Sequence, residues 1–190
     1  MPAGTYTIDT SHSEVGFTVR HAGISKVRGQ FREFDGTLVI AEDPTASSVE
    51  VTIAAASVDT GDQGRDNHLR SADFWDAENK PTWTFVSKRV EGDGEELTVH
   101  GDLTINGVTR EVPLEVEYNG AGTDPFGIAR LGFSASTEIS RKDFDLTWNA
   151  AMETGGFLVG DKVKILIEAE TVAKQDEDDA AAAADVEASA

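Results

Sequence analysis

Apolar and polar residues alternate with a period of two along almost the whole chain, the signature of strands with one buried and one wet face. The first segment sets Ser13, Val15, Phe17, Val19 and His21 on one face and His12, Glu14, Gly16, Thr18 and Arg20 on the other. The second runs through Val27, Gly29 and Phe31, changes parity around Glu33, and continues with Phe34, Gly36, Leu38 and Ile40, as a bulge in a long bent strand would produce. Val49, Val51 and Ile53 mark a third strand, and Trp83 and Phe85 a fourth that starts after Pro81. Leu97, Val99, Gly101, Leu103 and Ile105 form the fifth. Asn106-Gly107 then predicts a tight hairpin turn into the sixth strand at Val112, Leu114, Val116 and Tyr118. Leu131 to Ile139 and Val163 to Ala169 supply the seventh and eighth.

Eight antiparallel strands with one wet face most economically lose their exposed edges by closing into a barrel, whose interior holds side chains or one small ligand. The fold expected is therefore all-β, an extended eight-stranded antiparallel barrel spanning residues 1–174, with a sandwich as the alternative. Two long connections interrupt the meander. The one from Asp59 to Lys80 is predicted to hold a short helix near Asn67 to Phe74. The one from Phe144 to Gly160 carries Trp148, Met152 and Phe157 without strand periodicity and is expected to form a lid or mouth.

Sixteen Lys and Arg against 35 Asp and Glu give a net charge of −19, which repels nucleic acid and the anionic surface of a membrane. Neither is expected as a partner by direct electrostatic docking. With no cysteine, disulfides and thiolate chemistry are excluded. No basic start followed by an apolar run opens the sequence, and no stretch approaches the roughly 18 apolar residues of a membrane span, so a cytoplasmic protein is expected. Residues 175–190 are acidic, rich in alanine and lack aromatics, and are expected to be a disordered tail.

Motifs for catalysis are scarce. The four histidines show no HExxH spacing, and the sequence contains no G-x-S-x-G elbow, P-loop or dinucleotide-binding glycine motif, so no catalytic residue, metal or cofactor is assigned. Asp9, Ser11 and His12 resemble a triad in composition alone. In an extended segment they point in alternating directions and are expected to cap or tie down the barrel's entrance.

The blocks YTIDTSHSEVGFTVRH from Tyr6 to His21, then VRGQFREFDG, RDNHLRSADFWD, GDLTINGVTREVPL, SRKDFDLTWN and VGDKVKILIEAE, in that order, resemble the YceI-like family of polyisoprenoid-binding proteins over about Tyr6 to Val172. The resemblance implies a lipocalin-like barrel that carries an isoprenoid or other long-chain amphiphilic lipid in its lumen, and a homodimer. For such a ligand the inward residues Phe17, Val19, Phe31, Trp83, Phe85, Leu103, Leu114, Phe133 and Ile165 are expected to form the apolar wall, with Phe74 and Trp148 from the long connections. His21, Arg65, Asp66 and His68 are the candidates for a head group at the mouth. Pattern alone does not separate a lined cavity from a packed core, and without the resemblance packing is favoured. Arg65 and Asp66 have a second reading as an ion pair anchoring the long loop, and His21 as a hydrogen-bonded core residue. Three functions therefore stand: a lipid carrier or store, an enzyme acting on such a lipid, and a stress-related interaction module with a solid core.

Overall fold

In a computed structural model describing residues 1–153 and 155–174, the alternating segments become eleven strands of one antiparallel sheet. They are β1 (Gly4–Ile8), β2 (Glu14–His21), β3 (Ser25–Phe31), β4 (Phe34–Ile40), β5 (Ser48–Ala54), β6 (Val58–Asp59), β7 (Thr82–Asp93), β8 (Glu96–Ile105), β9 (Val108–Thr123), β10 (Ala129–Ser140) and β11 (Val159–Ala173). The expected tail, residues 175–190, lies outside the described residues. Along the order β1-β4-β5-β7-β8-β9-β10-β11 each strand bonds to the next, and β11 returns to β1, closing a ring of eight. The barrel expected from the alternation is therefore the fold, and the sandwich is not.

The three remaining strands extend one end of this ring. β1–β2, β3–β4 and β5–β6 are each a long strand broken by a bend: β4 pairs with β1 and β5, while β3 pairs with β2 and β6. The parity change foreseen near Glu33 is such a bend rather than a bulge within a ladder. Arg32 and Glu33 leave the strand, their backbones bonding to Ser57 O and Ala54 N, so that Phe31 and Phe34 both face inward and are buried. β7 also runs further than expected. A register shift between Ser87 and Arg89 re-aims the strand, which buries Val90.

Asn106 and Gly107 adopt φ of 55° and 78°, the left-handed pair that a two-residue hairpin requires, and β8 and β9 pair from Ile105–Val108 onward. The helix of the first long connection, α1, covers Gln63–Arg70, four residues before the expected start. Asp62 decides this: its carboxylate accepts from Arg65 N at 2.8 Å and caps the first turn. The chain beyond Arg70 instead turns tightly and drives Phe74 and Trp75 into the core. No helix among the described residues is long and apolar enough to cross a membrane.

Candidate ligand-binding site

The inward faces of the strands do not meet at the barrel axis. They surround a cavity of about 260 Å³, far more than the water-sized voids that close packing leaves. Its lining is apolar but for Ser47, Ser48, Thr137 and Arg141. All nine strand residues expected in a ligand wall, Phe17, Val19, Phe31, Trp83, Phe85, Leu103, Leu114, Phe133 and Ile165, lie on it, as does Phe74. Gly29 makes room for one of them. It stands directly across from Phe17 in the β2–β3 ladder, and a Cβ there would lie 2.5 Å from the Phe17 ring.

Aromatic rings build the end of the cavity nearest α1. Phe31 packs at 4.9 Å from Trp83 and 5.4 Å from Trp75, and Trp75 meets Trp83 edge-on at 4.9 Å. Trp83 Nε1–H is buried without a hydrogen-bond partner among the described residues, a loss of about 1–3 kcal/mol that a native core seldom carries.

A second cavity of about 150 Å³ forms the mouth. It shares Phe17, Val19, Leu69, Phe74 and Val159 with the first and adds His21, Arg65, His68 and Trp148. His68, Phe74 and Trp148 form one aromatic cluster, with His68 edge-on to Trp148 at 4.6 Å and its Nε2 2.9 Å from Asp73 Oδ2. His21, read alternatively as a hydrogen-bonded core residue, stands half-buried on this rim.

Arg65 and Asp66 do not pair with one another. Both bind Thr60: Arg65 Nε donates to Thr60 Oγ1 at 2.7 Å, and Asp66 Oδ1 accepts from Thr60 N at 2.9 Å. The ion pair of the second reading is thus replaced by a shared threonine, because Asp66 lies on the buried side of α1 and Arg65 on its exposed side. Asp66 holds the loop from below, while Arg65 reaches the mouth.

Sequence reasoning missed Arg141, only 3% exposed. Its guanidinium donates to the carbonyls of Leu146, Trp148 at 2.9 Å, Gly160 at 3.0 Å and Val159 at 3.4 Å, and so gathers both ends of the 144–160 connection against the lumen. Burial pushes its pKa down from the usual value while Asp161 opposes that. The signal was faint: one arginine at the end of a strand, before a segment without periodicity.

Asp9, Ser11 and His12 form a different kind of site at the opposite end of β11. Asp9 accepts from Ser11 Oγ at 2.6 Å and from Arg130 Nη1 at 2.8 Å, and His12 Nδ1 lies 3.0 Å from Asp9. That same Nδ1 is the atom 3.1 Å from Ser11 Oγ, whereas a proton relay needs serine and aspartate on opposite ring nitrogens. Ligand atoms of Asp9, His12 and Glu170 lie within 4.8 Å of one another, as a metal would require. Arg130 already bridges the two carboxylates, at 2.6 Å from Glu170, and supplies the positive charge in place of a cation. The cluster fastens the β1–β2 bend to β10 and β11, but at the end of β11 away from the mouth rather than at the entrance, and its side chains converge because residues 9–12 turn instead of running extended.

A closed antiparallel barrel around an apolar lumen with an aromatic mouth defines the class of single-chain ligand-binding barrels to which lipocalin-like proteins belong. Within it the chain belongs to the YceI-like family, whose domain model matches residues 6–171. It is 47% identical to Protein YceI of Escherichia coli O157:H7 over 147 residues, 76% of this chain and 77% of that protein. Among solved structures it is similar to Campylobacter jejuni YceI (37% identity, TM-score 0.68, covering 88% of this chain and 96% of that one). A polyisoprenoid-binding domain from Saccharophagus degradans shares the fold at 17% identity, with a TM-score of 0.68 over 89% of this chain and 98% of that one.

Proposed function

We propose that this chain binds a polyisoprenoid or similar long-chain amphiphilic lipid in its lumen, without chemical turnover, and so transports or stores it. The observation that carries the reading is the apolar cavity of about 260 Å³, adjoined by a partly polar second cavity that shares Phe17, Val19, Leu69, Phe74 and Val159 with it. Left unfilled, a void of that size costs on the order of 6 kcal/mol, comparable to the whole net stability of a domain. A flexible hydrocarbon chain recovers that loss and needs no directional contact, contributing roughly 25 cal/mol per Å² buried. Arg65, His21 and His68 supply polar groups for its head, and an acceptor atom reaching Trp83 Nε1 would satisfy the orphaned donor. The strongly negative chain disfavours a diphosphate head group unless Arg65 at the mouth offsets it, since Arg70 is committed to the Ala56 and Val58 carbonyls.

Native mass spectrometry of the purified protein, followed by solvent extraction, tests this. A stoichiometric chain-like lipid is expected. A protein that arrives empty and also rejects prenyl and fatty chains would leave the solid-core interaction module in its place. The homodimer and the cytoplasmic placement belong to the same reading, and light scattering and cell fractionation test them.

A further inference from the structure

The molecule's charge is unevenly placed. Against a net charge of −19, residues 15–32 hold Arg20, Lys26, Arg28 and Arg32 and no carboxylate. Arg32 is engaged by Asp59 at 2.7 Å, but Arg20, Lys26 and Arg28 are exposed and make no ion pair among the described residues. Arg20 and Lys26 stand directly opposite one another on the outer face of the β2–β3 hairpin, an arrangement of like charges that costs a hairpin stability. Such a cost calls for a return elsewhere.

At the tip of the same hairpin Ile24 is 86% exposed, and on the neighbouring connection Phe157 is 66% exposed. The two segments are tied together, since Ala22 N donates to Leu158 O at 2.7 Å and His21 pairs with Val159. His21, Leu158 and Val159 line the mouth, so both apolar side chains stand at the opening of the lumen. Asp161, held by the Ser140 hydroxyl near Arg141, and Glu153 are the acids on this connection closest in sequence to Phe157.

Projecting apolar side chains among unpaired cations have the chemistry of a surface that sits in the head-group region of an anionic bilayer. We propose that the β2–β3 tip and the 144–160 connection dock the mouth on an anionic lipid surface, through which the lumen exchanges its ligand. This rests on the lipid-binding reading above. The overall negative charge does not prevent it: the hairpin carries no carboxylate between Val15 and Arg32, and two of the acids beside the mouth are engaged, Asp73 by His68 and Asp161 by the Ser140 hydroxyl, which leaves Glu153 against Arg20, Lys26 and Arg28. A two-fold contact between copies through this face would set Arg20, Lys26 and Arg28 against themselves, which disfavours a second copy as the occupant.

The test is flotation of the full chain with phosphatidylcholine vesicles, with and without phosphatidylglycerol. Wild type should float with the anionic vesicles only, and less as salt rises. Lys26→Ser/Arg28→Ser should lose roughly 30-fold in partitioning, and Ile24→Ser/Phe157→Ser should also weaken it. Both variants change exposed side chains, so their melting curves should match wild type, and farnesol uptake read by tryptophan fluorescence should persist. Wild type remaining unbound, or the charge variant floating as well as wild type, would overturn the proposal. A change in oligomeric mass in the Ile24/Phe157 variant would overturn it too, by showing that a second copy covers the face. Flotation by a wild type that takes up no farnesol and yields no lipid on extraction would keep the docking face and remove the carrier reading.

Discussion

Ala135 lies on the inner face of β10 between Phe133 and Thr137 and lines the main cavity. Changing it to phenylalanine distinguishes a hollow lumen from a packed one by the sign of the effect. A benzyl group adds roughly 100 Å³, which at about 24 cal/mol per Å³ of cavity removed stabilises the empty barrel by about 2 kcal/mol. In a packed core the same ring would be overpacked and cost about 1–3 kcal/mol. For a domain of this size each kcal/mol moves Tm by about 2–4 °C, so the two cases differ by roughly 10 °C. Differential scanning calorimetry on protein stripped of lipid reads the shift, and fluorescence titration with farnesol reads the loss of space. Ala135→Phe should melt several degrees above wild type and bind farnesol more weakly. A lower Tm with undiminished binding would refute the assignment of the ligand to this cavity.

Gly29→Val should displace the Phe17 ring into the lumen, and weaker lipid binding with a modest loss of stability is expected in the same titration. Arg141→Met takes the guanidinium donors from the Leu146, Trp148 and Gly160 carbonyls, while Val159 O keeps Asn149 Nδ2, so about 3 kcal/mol or more of stability should be lost, and limited proteolysis should cut first within residues 144–160. The Asp9 hydrogen bond, and then its charge, raise the pKa of His12. The protonated pair therefore contributes fully below the usual histidine range and fades as pH rises through the raised pKa. Histidine NMR should show the upward shift, and Asp9→Asn should abolish it. Asp9 itself is held well below the usual carboxylate range, first by the Ser11 hydroxyl and then by His12 and Arg130, so its contribution is complete above that range and is lost progressively as pH falls through it into strong acid.

Strand residues were legible because parity assigns them. Phe17, Phe85 and Leu114 each sit in a clean alternation, and once the ring closes an inward residue has nowhere to go but the lumen. The loops were read less well because no period governs them. α1 starts earlier because the Asp62 cap outweighs the aromatics beyond it, and adjacency in sequence did not separate the roles of Arg65 and Asp66, whose side chains leave the helix about 100° apart, one exposed and one buried. Trp75 went unassigned in a segment whose conformation only the core around Phe31 and Trp83 determines. Arg141 acts on backbone carbonyls, which carry no side-chain signature. Hollowness itself is a property of the ring's dimensions and leaves no mark in an alternation that serves a packed barrel equally well.

The strand β11 bonds to β10, β1 and β2, so the ring closes where Tyr6 meets Ala173, near the two ends of the fold. Until that last strand is synthesised and seated, the chain is an open, curling sheet with no inside. Joining segments so distant in sequence carries a large entropic cost and places this barrel among the slow folders. The lumen is therefore enclosed only when β11 is seated between β10 and β1.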